Sequence, residues 1–293
     1  MSSNKFCNNM FPVNSLPVIL GDDSFTGWFS NDYKSENERV NSYKEVINLA
    51  YSSGIKTFIC CWHNSLNKIL KDFKEHHSDI VCIANPQWNN YYYFNNHSLW
   101  TEYYRQKCVA TINSRIEKVS SHWLKNINVN DYFSEKDLNS IYLKEKDLEK
   151  CFSELSFCDY FTFGNLWYDF FYYTNKIDIV MKELSIIKYF NKKPLGIISG
   201  GELPLSILSK LNINNVLIWF NRYYSFPNIR ETKKAIKNTK CNLIAYRIFE
   251  NNENLNIKES LSFISAHSKI KGFVVGIDNL NQAKETFAKI NTL

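Results

Sequence analysis

Hydrophobic positions along the chain gather into eight short runs rich in β-branched and aromatic residues. These are "LPVILG" (16–21), "KTFICCW" (56–62), "DIVCIAN" (79–85), "CDYFTFGN" (158–165), "PLGIIS" (194–199), "NVLIWFN" (215–221), "CNLIAYRIF" (241–249) and "KGFVVGI" (271–277). A strand with one wet face alternates apolar and polar residues. These runs barely alternate, as expected of parallel strands covered on both sides. Between them apolar residues recur at helical spacing. "NERVNSYKEVINLAYSSG" sets Val40, Tyr43, Ile47 and Tyr51 on one stripe with Val46, Leu49 and Ala50 beside it, and Gly54 supplies a left-handed C-terminal cap. "DIVMKELSIIKYFNKK", "LPLSILSKLN", "IRETKKAIKN" and "IKESLSFISAH" repeat the pattern. Strand and helix alternating through residues 1–293 predict one α/β domain, a (β/α)8 TIM barrel.

The spacing is uneven after the third run. Roughly residues 88–150 form an excursion that begins in the polar-aromatic "PQWNNYYYFNNHSLWTEYYRQ" and continues through the helical-looking "KCVATINSRIEKVSSHWLKNI" and "SEKDLNSIYLKEKDLEKCFSEL". One part must supply the third barrel helix. The remainder is expected either to cover a pocket or to form a peripheral packing or oligomer surface.

Composition narrows the classes. With 44% hydrophobic and 22% charged residues the chain matches folded globular usage. Its net charge of +6 comes from lysines dispersed among acids along helices, with no basic block, so neither nucleic acid nor a membrane surface is expected as a partner. A homo-oligomer or a partner protein stays open. The eight cysteines contain no CxxC pair and several lie in apolar runs, where they behave as small buried hydrophobes. That usage, with no signal-like start and no membrane-length apolar stretch, predicts a cytoplasmic protein.

In such a barrel the C-terminal strand ends face the site. They offer Asp22 and Asp23, then Trp62 and His63, then Asn85, Gln87 and Trp88, then Asn165, Trp167 and Asp169. Ser199 and Glu202 follow the fifth run, Asn221 and Arg222 the sixth, and Arg247 and Glu250 the seventh. His63, oriented by Asp22 or Glu202, is the candidate general acid or base; the plainer alternative is a histidine that bonds a loop. Arg222 and Arg247 suit bidentate capture of a carboxylate or phosphate, or else salt bridges around the rim. Trp62, Trp88 and Trp167 would wall a flat or apolar ligand, or pack in the core, with Asn221 beside them. The Asp22-Asp23 pair doubles as a turn device. No metal site is assigned, because it would have to join His63 to scattered carboxylates while His76, His77, His97 and His122 lie elsewhere.

The order of several segments resembles the aldo-keto reductase superfamily. "NKKPLGIISGG", "CNLIAYRIF" and "GFVVGIDNLNQAKETFAKI" are similar to its fifth, seventh and eighth strand motifs, and "CDYFTFGN" to its fourth. "AYSSGIKTFICCWHNSL" resembles its second helix-to-strand step. The resemblance implies a Tyr, Lys, Asp and His tetrad with hydride from NADPH. Here Ile59 or Cys60 stands at the Asp position, Asn64 at the Tyr, Ala84 or Asn85 at the Lys, and Gly164 at the His. Ser199, Asn279 and Gln282 match positions that contact the cofactor, but Gly200 replaces an Asn and Asp278 would repel its phosphate. No cofactor is assigned, and NADP stays open. The leading expectation is an enzyme acting on a small anionic metabolite by non-redox acid-base chemistry. An NADP-dependent oxidoreductase with a relocated proton donor and a non-catalytic binding or assembly subunit are the alternatives.

Overall fold

A computed structural model describes residues 17–26, 33, 35–61, 63–86, 91–116, 119–120, 124, 131–164, 169–223, 225–249 and 256–291. In chain order its elements are β1 (Val18–Gly21), α1 (Glu36–Ser52), β2 (Thr57–Cys60), α2 (Asn64–His76), β3 (Val81–Ala84), β4 (Tyr92–Phe94), β5 (His97–Ser98), α3 (Glu102–Asn113), α4 (Glu135–Asn139), β6 (Ile141–Leu143) and α5 (Glu145–Glu154). The second half adds β7 (Tyr160–Phe163), α6 (Phe170–Tyr173), α7 (Ile177–Tyr189), β8 (Lys193–Ile198), α8 (Glu202–Lys210), β9 (Asn215–Trp219), α9 (Ile229–Asn238), β10 (Asn242–Tyr246), α10 (Ile257–Ser265), β11 (Ile270–Gly276) and α11 (Leu280–Asn291). Eight parallel strands close a barrel in the order β1, β11, β10, β9, β8, β7, β3, β2.

The lack of alternation in the strand runs has a direct cause: each strand feeds two apolar cores. Ile19, Ile59, Ile83, Tyr160, Leu195, Ile197, Leu217 and Ile244 fill the barrel interior. The residues between them, such as Leu20, Phe58, Cys82, Phe161, Val216 and Ala245, pack outward against the helices. Helix α1 buries Tyr43, Val46, Ile47 and Ala50. It stops where Gly54 takes φ +89°, a conformation that costs glycine little, and the Ile55 N–H bonds the Ala50 carbonyl.

The excursion after β3 holds helices α3, α4 and α5 but is not helical throughout. It contains a small antiparallel sheet ordered β5, β4, β6, with Tyr93 opposite both Ser98 and Tyr142. The stretch "SEKDLNSIYLKEKDLEKCFSEL" is interrupted by β6 between α4 and α5. The Ser134 side chain and Asp137 form a capping box that starts α4, and α5 leads into β7 as the third barrel helix. A buried bond fastens the small sheet to the barrel: the Tyr92 hydroxyl donates to Glu183 of α7, whose other oxygen accepts the Gly164 N–H at 3.1 Å. No helix among the described residues is long and apolar enough to cross a membrane.

Candidate functional site

The strand alternation that fills the interior continues to the C-terminal mouth. One residue pair beyond Ile59, Ile83 and Tyr160 come Cys61, Asn85 and Thr162, and these touch in sequence. The Thr162 hydroxyl donates to Asn85 Oδ1 at 2.9 Å, and the Asn85 amide approaches Cys61 Sγ at 3.9 Å. On the other wall Tyr246 of β10 packs against Trp219 of β9, with ring centroids 6.3 Å apart. Where β1 meets β11, Gly21 aligns with Gly276, so neither strand places a side chain over that sector.

Beside these glycines lies the most concentrated chemistry of the mouth. β1 ends in a turn over Asp23–Thr26, closed by the Phe25 N–H on the Asp22 carbonyl. Asp22, 1% exposed, takes the Cys61 N–H on Oδ2 at 2.8 Å and so ties the tip of β1 to the tip of β2. Its Oδ1 is buried and has no hydrogen-bond partner. The Cys61 thiol, 3% exposed, donates to Asp23 Oδ1 at 3.1 Å. Burial, followed by the charge of Asp23, pushes the Asp22 pKa up to about 7, against the lowering effect of its bonds to Cys61. Burial and both carboxylates hold the Cys61 thiol well above its ordinary range. Among the described residues no Lys, Arg or His pairs with either carboxylate.

His63 is placed differently from its expected partnership. It is the residue before α2, and its Nε2 lies 3.5 Å from Arg39 Nη1 and 3.9 Å from Glu36 Oε1, both on α1. The carboxylate that approaches it is therefore Glu36, while Asp22 bonds Cys61 and the exposed Glu202 pairs with Lys234 at 3.3 Å. Arg222 forms an ion pair with Glu259 of α10. Arg247, at φ +55°, lays its guanidinium 4.4 Å from the Trp219 ring centroid. Asn221 is buried and bridges two strand ends, donating to the Arg247 carbonyl at 3.2 Å and accepting the Tyr223 N–H at 2.9 Å. Trp62, Trp88 and Trp167, with Gln87, Asn165 and Glu250, lie outside the described residues.

The proposed cofactor positions are engaged by the chain itself. The Ser199 and Gly200 N–H groups after β8 donate to the two oxygens of Asp169 at 2.8 and 2.9 Å. Burial raises Asp169 to about 8 despite these bonds. At the start of α11, Asn279 accepts the Gln282 N–H at 3.0 Å, and Gln282 accepts the Asp278 N–H at 2.5 Å. The neighbouring cleft, about 560 Å³, is lined by Glu38, Glu45 and Asp278 together with Tyr33 and Asn279. Free backbone donors and positive charge, the two things a phosphate seeks at a helix start, are both reduced there.

The sequence search missed Thr162, Trp219 and Tyr246 and set Cys61 aside as inert. The usable signal was strand parity: the last inward residue of a strand lines the mouth as surely as the first loop residue after it.

Comparison with known proteins supports this architecture. No protein-family model matches the chain, and no curated protein matches it in sequence. Among solved structures, two from Pseudomonas aeruginosa, each assigned as an aldo-keto reductase, share 12% and 10% identity with TM-scores of 0.56 and 0.53. Each alignment covers 94% of this chain, and 90% or 89% of the other. The holo form of an aldo-keto reductase from Bacillus halodurans is 11% identical, with a TM-score of 0.51 over 93% of this chain and 86% of its own. The chain therefore has an aldo-keto-reductase-like (β/α)8 fold.

Proposed function

We propose that this chain is a divergent aldo-keto-reductase-like enzyme that performs non-redox acid-base chemistry on a small anionic molecule. The observation that carries the reading is the corner formed by Asp22, Asp23 and Cys61. A carboxylate buried with one oxygen unpartnered exchanges protons near neutrality, and the exposed Asp23 links it through the thiol to solvent. A perturbed carboxyl group placed at a barrel mouth is a candidate working group. Asn85 and Thr162 extend the polar line, and Trp219 with Tyr246 forms an aromatic wall. Arg247, held over that wall, is the cation assigned to the substrate's negative charge.

Hydride transfer is the less favoured reading for two reasons. Ile59 or Cys60, Asn64, Ala84 or Asn85, and Gly164 occupy the places of the reductase tetrad, and none supplies its proton donor, amine or imidazole. The last turn is capped by its own side chains and faces acids. The test is a screen of small organic anions for turnover and for a raised melting temperature, run with and without NADPH. Anion turnover without NADPH is expected. NADPH oxidation coupled to carbonyl reduction would replace this reading with the oxidoreductase one, and an inert protein that co-purifies with a partner would favour an assembly role.

A further inference from the structure

The same corner has the makings of a metal site, an inference that rests on reading it as the working part of the mouth. Asp22, Asp23 and Cys61 each offer one donor atom, and the three atoms lie within 4.8 Å of one another. A tetrahedral zinc ion holds sulfur at about 2.3 Å and carboxylate oxygen at about 2.0–2.2 Å, which separates neighbouring donors by roughly 3.5 Å. The Cys61 Sγ to Asp23 Oδ1 separation of 3.1 Å already approaches that spacing. Side-chain adjustments of a few tenths of an ångström to about an ångström would complete the set.

The independent observation is Asp22 Oδ1. It is a carboxylate oxygen sealed from solvent with no hydrogen-bond donor, although its partner oxygen is satisfied by the Cys61 N–H. An acceptor left bare in a buried position calls for an occupant such as an ion. A water offers one neutral donor to a corner that, among the described residues, holds two carboxylates and no paired cation; a divalent ion satisfies the oxygen and, once the Cys61 thiol has released its proton to solvent, offsets two of the three negative charges.

We infer that Asp22, Asp23 and Cys61 form a binding site for one divalent transition-metal ion of the zinc type. One thiolate with two carboxylates selects a borderline ion over calcium or magnesium, which prefer sets made of oxygen alone. Three protein donors leave a fourth position for water or substrate, and Asp23, the exposed member of the three, connects the set to solvent. With the metal bound, Asp22 and the Cys61 thiolate act as ligands, a water in the open position takes over the proton exchange, and an anionic substrate can contact the ion directly although the three anionic ligands leave one net negative charge.

The experiment uses the full chain, reduced and stripped with a chelator, and the probes are Zn²⁺ and Co²⁺. Zinc is expected to bind one ion per chain and raise the melting temperature saturably. Cobalt is expected to give a thiolate-to-metal absorption band in the near ultraviolet that Cys61→Ser abolishes. Asp23→Asn, at an exposed position and expected to fold, should weaken binding at least about tenfold. No saturable binding at near-millimolar metal would overturn the inference. So would a cobalt-thiolate band that persists in Cys61→Ser, or an unchanged affinity in Asp23→Asn should Cys61→Ser fail to fold. Metal binding without turnover of any anion would sink the enzymatic reading alone. Turnover by a protein that binds no metal would sink the metal site alone.

Discussion

Asp169 shows how one buried residue fixes a strand end. It sits at φ +68°, and its carboxylate gathers the Ser199 and Gly200 N–H groups that a ligand phosphate would otherwise use. Asp169→Asn replaces one acceptor oxygen with a donor, so one of those N–H groups loses its partner. The expected cost is about 1–3 kcal/mol in denaturant unfolding. The pH dependence has a definite sign. The folded pKa of about 8 lies above the ordinary 3.8, so the folded state holds this proton more tightly and its stabilising contribution is full below about 3.8 and is lost as pH rises toward 8. Asp169→Asn should therefore remove one part of the decline of stability with rising pH, to which Asp22 and Glu183, both raised to about 7, also contribute. An undiminished slope in the variant would show that the proton is held elsewhere. Gly200 belongs to the same turn. At φ +149° an added Cβ would collide with the Phe226 carbonyl oxygen, so Gly200→Ala should lower the melting temperature sharply.

At the scale of elements, the small sheet of β5, β4 and β6 depends on its attachment to α7. Tyr92→Phe keeps the ring packed against Phe171 but removes the hydroxyl from Glu183. Amide exchange in Tyr92–Phe94 and Ile141–Leu143 should accelerate while the barrel strands keep their protection. Uniform acceleration across the barrel would instead mean that sheet and barrel open together. This region also marks where sequence reading fell short. The eight barrel strands were readable to within three residues because each is buried on both faces and its apolar run is nearly continuous. Strands of two or three residues, such as His97–Ser98, are too short to display any period, and β6 hides between two segments of helical spacing.

For the whole molecule, the barrel was visible in one dimension, but the assembly of its mouth depended on contacts across strands. Asp22 and Asp23 stood out because adjacent carboxylates at a strand end are conspicuous. Cys61 did not, since its chemistry arises from Asp23 and Asn85 just beyond the ends of other strands. His63 was conspicuous for its residue type, yet it packs toward Glu36 and Arg39 on α1. The contrast gives a paired expectation: His63→Ala should retain most anion turnover, whereas changes at the Asp22, Asp23 and Cys61 corner should not. Equal losses from both would restore the histidine as the acid-base group.

The most direct test of that claim is turnover of the best anion from the screen, with NADPH omitted, by the wild type and by Asp23→Asn. The account predicts turnover by the wild type and, in the variant, which cuts the link between Asp22 and solvent, a loss of up to about 10²–10⁴-fold, the range that a positioned acid-base group contributes. Full activity in Asp23→Asn, or activity that appears only when NADPH is supplied, would contradict it.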